Sequence, residues 1–407
     1  MVPQAKCAAA PSPTAHPRVS LAAIALAYLR VGATAFGFTI LHQLKSLAIE
    51  RGWLTEEELD EGLALVQLYP GPIMVDLTAY IGYKLRGVIG AVVATTCFVL
   101  PSFFLMLALS ALYFATSSLP WVHSLFLGLE ALVVGVIFNV TLDLGARNVQ
   151  SRAQAVIAVG AFAALLFKIN AILIVLFALA LGALFIHPEA KEQNKMRTET
   201  ITTVRATRRW IAISAVAAVT LAVAAFAWSL QSEVGMMGLV FFKIGSVAFG
   251  NGTTILPLIQ ADVVDANHWL TLNQFADGIA LGQVTPGPFL ITAAFVGYKM
   301  GGPFGAALAT FAIFSPSFTM TLVFTEVFTR VRNLRLIRGA LAGVLASFVG
   351  LLIVVILQLG GVALITPAAM ALAAAAFVGV RYFKLDVVEV FIGGIVLWHA
   401  LRVFGIA

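Results

Sequence analysis

The chain has 407 residues, 61% of them hydrophobic and only 11% charged, with a mean hydropathy of +0.99. A soluble domain carries about 25% charged residues, so the composition excludes an ordinary water-soluble enzyme and describes an all-α polytopic membrane protein. A formal charge of +6 would suggest nucleic acid for a soluble chain; here it fits Lys and Arg gathered in cytoplasmic loops, and no nucleic-acid partner is expected.

Residues 1–19 are rich in Pro and Ala and are predicted to form a disordered tail. The apolar stretch that follows is too long for a signal peptide, contains Arg30 and leads into a repeated unit, so it reads as a first membrane helix. A spanning helix needs about 20 apolar residues. Apolar segments fall at 21–41, 59–84, 88–112, 122–142, 153–168 and 170–187, then at 210–230, 236–256, 272–300, 303–325, 336–358, 362–379 and 386–404. That makes about 13 membrane segments, with 153–168 and 170–187 short enough for a tight hairpin. Two segments are interrupted, one at Pro70-Gly71-Pro72 and one at Pro286-Gly287-Pro288. Proline lacks an N–H and clashes with the preceding turn, so the helix must break or kink there.

The two halves repeat. YLRVGATAFG (28–37) matches FFKIGSVAFG (241–250), and RGWLTEEELDEGLALVQLYPGP (51–72) matches NHWLTLNQFADGIALGQVTPGP (267–288). IGYKLRGVIGA (81–91) matches VGYKMGGPFGA (296–306), and FVLPSFF (98–104) matches IFSPSFT (313–319). The expected division is the tail 1–19, a first repeat 20–187, a basic cytoplasmic loop with a linker helix 188–235, and a second repeat 236–407. Six segments per repeat and one linker helix invert the second copy. Charge agrees: loop 113–121 has no Lys or Arg, whereas its counterpart 326–338 carries Arg330, Arg332, Arg335 and Arg338. The N-terminus is then expected to be cytoplasmic, and Lys84, Arg86, Arg147, Arg152, Arg381, Lys384 and loop 188–209 to lie inside. Two loops fit poorly. Loop 42–58 holds Lys45 and Arg51 yet falls outside, and loop 257–271 has no Lys or Arg yet falls inside. If the broken segments are re-entrant hairpins, both loops move.

Intramembrane charges default to function. Arg30 and Lys243 occupy equivalent positions in the two repeats, which suits a shared site for an anion; snorkelling or pairing with a carboxylate are the plainer readings. Residues after each Pro-Gly-Pro start a new half-helix, whose N–H groups and positive dipole end attract negative charge. Gly71 and Gly287 allow close backbone approach. Gln67 and Gln283, each three residues before the first proline of its break, can donate amide hydrogen bonds. Asp76, four residues past the first break and uncharged in the other repeat, is a candidate for carrying a proton or for pairing with Arg30. Glu61 and Asp277 are repeat partners and read as entrance or capping groups, Glu130 carries little weight, and Trp53 and Trp269 read as interfacial anchors. Six scattered histidines with no i, i+4 pair and two cysteines in different contexts indicate neither a metal site nor a disulfide. No catalytic constellation or phosphate loop is present, so no enzyme and no cofactor is expected.

At these residues the chain resembles the chromate ion transporter (CHR) family in its long, two-repeat form. The matching parts are FKIGSVAFGNG (242–252), HWLTLNQFADGIALGQVTPGP (268–288), VGYKMGGPFGA (296–306) and SPSF (315–318), with their first-half equivalents. The resemblance implies secondary export of chromate from the cytoplasm across the inner (plasma) membrane, with exchange for sulfate or protons, and chromate resistance. It adds Asn251, in the Phe249-Gly250-Asn251-Gly252 element, to the candidate binding residues. The first half departs from the family pattern, reading Phe36-Gly37-Phe38-Thr39, and Ile73, Met74 and Val75 follow its Pro-Gly-Pro. The substrate expected is chromate or a similar tetrahedral oxyanion such as sulfate, with a passive anion channel as the other reading. The expected mechanism rocks one repeat against the other. The partners are the lipid bilayer and, as an open possibility, a second copy in a homodimer.

Overall fold

The computed structural model describes residues 19–37, 39–186, 203–250, 252–331 and 335–403. The N-terminal tail up to residue 18, most of the basic loop 188–209, Asn251 and the side chains of Arg330, Arg332 and Arg335 lie outside the described residues. The first repeat comprises α1 (Leu21–Thr34), α2 (Thr39–Glu50), α3 (Glu56–Val66), α4 (Ile73–Thr116), α5 (Pro120–Asn148), α6 (Arg152–Leu166) and α7 (Ala171–Phe185). Helix α8 (Thr203–Ser229) links it to α9 (Glu233–Val247), α10 (Leu256–Gln260), α11 (Leu272–Val284), α12 (Thr292–Val331), α13 (Arg335–Ala363), α14 (Pro367–Arg381) and α15 (Val387–Val403).

Local devices recur at equivalent points. Thr55 and Thr271 each open a helix with a capping box, closed three residues later by Glu58 and Gln274. Helix α4 bends at Arg86-Gly87 and α12 at Gly301-Gly302. At both bends the chain doubles back, so that Gly82 lies against Gly90 and Gly297 against Gly305. Each long helix is therefore a short arm, 73–85 or 292–300, followed by a long arm, 88–116 or 303–331.

The equivalent long arms run antiparallel. At one end Tyr83 donates a 2.6 Å hydrogen bond to Glu326. At the other, Phe114 stacks on Tyr298 with ring centroids 6.1 Å apart. Two copies of one unit packed head to tail are inverted repeats, as the loop charges predict.

Five helices are both long and apolar enough to cross a membrane: those within 73–116, 120–148, 207–229, 289–327 and 336–363. The other apolar segments are shorter. Helix α3 returns along the short arm of α4, with Tyr80 donating to the Glu58 carbonyl at 3.1 Å, and Trp53 packs against Tyr28 of α1. Loop 51–55 thus lies at the same end as Lys84 and Arg86. The interrupted segments are hairpins that turn back at Pro-Gly-Pro, and this moves both loops that fit poorly in a crossing reading. Arg51 joins the basic end, and the Lys/Arg-free loop 257–271 goes to the opposite one. Trp53 and Trp269, expected as interfacial anchors, are instead buried in the turns that precede α3 and α11.

Packing divides the molecule into two layers that ignore the repeat boundary. One layer gathers α1–α4 with α8, α9 and α12; the other gathers α5–α7 with α13–α15; α10 and α11 lie between them and pack on both. Within the second layer the repeats exchange partners: α13 packs on α6 and α7, while α5 packs on α14. Gly135 of α5 faces the Ala373 carbonyl and Gly350 of α13 faces the Ala158 carbonyl.

Candidate functional site

The two helix breaks meet at the centre of the first layer, and they are crossed. Residues Gly71–Pro72 of the first repeat form a short parallel strand pair with Phe249–Gly250 of the second. Reciprocally, the Gly287 amide donates to the Ala35 carbonyl at 2.8 Å. Each Pro-Gly-Pro therefore pairs with the Ala-Phe-Gly of the opposite repeat. This satisfies backbone groups that proline-broken helices would otherwise leave unpaired in hydrocarbon. Each break also rests on the Pro-Ser-Phe turn of the other repeat. A Cβ on Gly71 would overlap Asp76 Oδ2 and lie 2.7 Å from Ser317 Cβ; a Cβ on Gly287, whose φ is +96°, would lie 2.9 Å from Ser102 Oγ.

A cavity of about 100 Å³ opens on this crossing, several times the roughly 10–15 Å³ that one water needs. Pro72, Gly287, Pro288 and Gln283 line it, together with Gly37 and Thr285. Val136 and Val140 of α5 close it from the other layer. Ile73 and Met74 at the start of α4, and Phe289 and Leu290 of the 3-10 turn that leads into α12, also face it. Neither helical start carries a side-chain cap, so N–H groups of each first turn are available to an anion. The Gln283 amide nitrogen is buried with no hydrogen-bond partner. An orphaned buried donor is costly, and a ligand oxygen would satisfy it.

The structure thus brings Pro72, Gln283, Gly287 and Pro288 together, with Pro70, Gly71 and Pro286 in the adjoining turns. It does not bring the remaining expected residues into the cavity. Gln67 is exposed, unlike its repeat partner. Arg30 and Lys243 are exposed on α1 and α9 and do not line the cavity. Lys243 forms an ion pair with Asp262 at 3.0 Å. Asp76 is fully buried beside the first break, with Ser317 and Thr321 as polar neighbours. Neither of its oxygens accepts a well-aligned hydrogen bond, and no described ion pair joins it to Arg30. Thr321 instead bonds to the Tyr69 hydroxyl at 2.8 Å.

A larger cavity of about 580 Å³ lies between α4, α8 and α12. Its walls are largely Val, Leu, Ala and Phe, relieved by a few hydroxyls such as Thr95, Thr310 and Ser315, which suits hydrocarbon rather than an ion. Among the described residues no cluster of metal-ligating side chains occurs.

Sequence reasoning passed over one constellation. Glu130 and Asp277, set aside as a segment start and a capping group, are both buried and face each other between α5 and α11. The available signal was an acid inside an apolar helix with no basic residue near it in the sequence.

The profile of the chromate transporter family matches residues 22–183 and 235–398, which is most of both repeats. A chromate transport protein of Cupriavidus metallidurans is 31% identical over 341 residues, covering 82% of this chain and 81% of that protein. A chromate transport protein of Pseudomonas aeruginosa is 29% identical over 345 residues, covering 84% and 81%. An uncharacterized transporter of Methanocaldococcus jannaschii is 29% identical over 337 residues, covering 82% and 83%. No solved structure matches the chain. Two matched repeats, crossed at a pair of helix breaks in an apolar helical protein, agree with these similarities: the chain belongs to the chromate transporter family.

Proposed function

We propose that this protein is a secondary active transporter that exports chromate from the cytoplasm across the inner membrane, and that it thereby confers chromate resistance. The observation that carries this reading is the cavity at the crossed breaks, which offers uncapped helical starts and the orphaned Gln283 amide to a small oxyanion. The two breaks are not equal partners. Asp76 stands behind the first and would repel an anion unless it carries a proton, so the second break and Gln283 supply most of the attraction. In this reading a protonated Asp76 keeps the site receptive to the anion. Arg30 and Lys243, each five residues before its Ala-Phe-Gly break, serve the approach to the site.

The orientation follows from charge. Tyr83, Glu326 and Arg209 meet at one end, Lys84 and Arg86 are beside them in the chain, and Arg86 also donates to the Val19 carbonyl at 3.2 Å. This end is the positive one and is assigned to the cytoplasm, with the N-terminus.

Everted vesicles that contain the protein are expected to accumulate radiolabelled chromate, saturably and with weak competition from sulfate. Accumulation no greater than in vesicles lacking the chain removes the reading; strong sulfate competition reassigns the substrate; non-saturable flux identifies a passive channel. Lys243→Ala is expected to reduce uptake by about tenfold or more with membrane insertion intact, the effect of losing roughly one charged contact. Undiminished uptake would leave Lys243 only as the partner of Asp262.

A further inference from the structure

The strongest unexplained group lies away from the anion cavity. Glu130 of α5 and Asp277 of α11 are 3% and 5% exposed, and their carboxyl groups face each other. Glu130 is ten residues into its helix, about 15 Å along it, or half the roughly 30 Å hydrocarbon core. Tyr113 of α4 donates to Asp277 Oδ2 at 2.5 Å. Asn273 of α11 donates to both Glu130 oxygens, at 3.2 and 3.3 Å. Asp277 Oδ1 is buried without any donor.

Among the described residues no ion pair offsets these charges, and on α15 His399 and Arg402 are exposed. Tyr113 and Asn273 are the polar groups facing the pair. On α12, Lys299 is exposed and sits over the Phe114 ring, 5.2 Å from its centroid. The ionisable groups of α13 are confined to its first turn, at Arg335 and Arg338. On α15, Glu389 accepts from the Asp386 amide at 2.9 Å. His123 of α5 is exposed two turns before Glu130, and Asp143 pairs with Arg381 at the far end of that helix. Two ionised carboxylates buried face to face without a cation are costly in a low-dielectric setting, and a proton shared between them removes much of that cost. A proton between the carboxyls would also satisfy the Asp277 oxygen that has no donor.

We propose that Glu130 and Asp277 form a proton-binding site that couples anion export to proton entry. The site lies on the seam between the two layers: Glu130 belongs to one layer, Tyr113 to the other, and Asp277 and Asn273 to α11, which packs between them. It occurs once, because the repeat equivalents of Tyr113, Glu130 and Asp277 are Phe328, Leu345 and Glu61. Helix α11 carries Asp277 six residues, about 9 Å, before Gln283 of the anion cavity, so a sliding of the layers moves both sites together. When the carboxyls part, their shared proton is released; when they meet again, one proton is taken up from the other side. This inference rests on the transport reading above.

The test uses purified protein in liposomes, with radiolabelled chromate as the probe. In the wild type, a gradient of one pH unit is expected to change chromate accumulation by about tenfold per proton. Glu130→Gln and Asp277→Asn should lose that response yet retain chromate-for-chromate exchange. Variants that keep the gradient response overturn the proton site, as does a wild type that exchanges chromate but ignores the gradient; in the latter case the transport reading stands. If the wild type moves no chromate, the transport reading falls. Infrared spectroscopy at neutral pH then decides separately: a protonated-carboxyl band lost in Asp277→Asn supports the site, and its absence from the wild type refutes it.

Discussion

Gly71→Ala is expected to abolish chromate transport, while Gly52→Ala leaves it close to normal. A methyl group on Gly71 would occupy the position of Asp76 Oδ2 and crowd Ser317. Asp76 is fully buried and Ser317 belongs to the opposite repeat, so neither can retreat without opening the crossing. Overpacking of this kind costs about 1–3 kcal/mol or more, and here it falls on the strand pair that holds the cavity. Gly52 has a left-handed φ of +60° but nothing within 4 Å of an added Cβ, so its alanine variant carries only the backbone penalty of about 1–2 kcal/mol. Vesicle uptake and thermal unfolding in detergent, measured on both variants, check the contrast. A fully active Gly71→Ala protein would show that the crossing is not the site.

Gln283→Leu should raise the half-saturating chromate concentration by about ten- to a hundredfold, the loss of one hydrogen bond to a charged group worth about 1.5–3 kcal/mol. Gln67→Leu should change it little, since Gln67 points away from the cavity. The volumes of Gln and Leu are similar, so folding is spared and affinity carries the difference. Equal effects of the two substitutions would mean that the repeats contribute symmetrically and that the exposed position of Gln67 is not its working one.

Much of this fold was legible because it is written in local pattern. The duplication, the proline breaks and the arginines of 326–338 identify inverted repeats before any coordinates. The crossing of the breaks was not legible, since Gly71 and Phe249 pair through tertiary structure across 178 positions, and matching motifs show which residues are equivalent but not which ones touch. Arg30 and Lys243 show the same limit. Their equivalence follows from alignment, yet the direction each faces depends on how α1 and α9 are rotated against α4 and α12. Both helices present their small residues inward, Gly32 against the Phe98 carbonyl and Gly245 against that of Ile313, and leave the cations outside. The Glu130–Asp277 pair was not legible for a different reason: the two acids lie 147 positions apart on α5 and α11, and only the packing of those helices brings them together.

The interleaved layers carry a mechanical consequence. If each repeat moved as a rigid block, α6 and α7 would have to peel from α13, and α14 from α5, tearing the tightest helix contacts in the molecule. The covalent halves are therefore poor candidates for the moving parts. A slab of α5–α7 with α13–α15 is joined to the rest chiefly through α10 and α11, so those two helices would be the hinge if the slab stayed fixed in the bilayer while the other body moved. The protein consists of two like pieces, but its packing divides along a different plane, with part of each piece on either side.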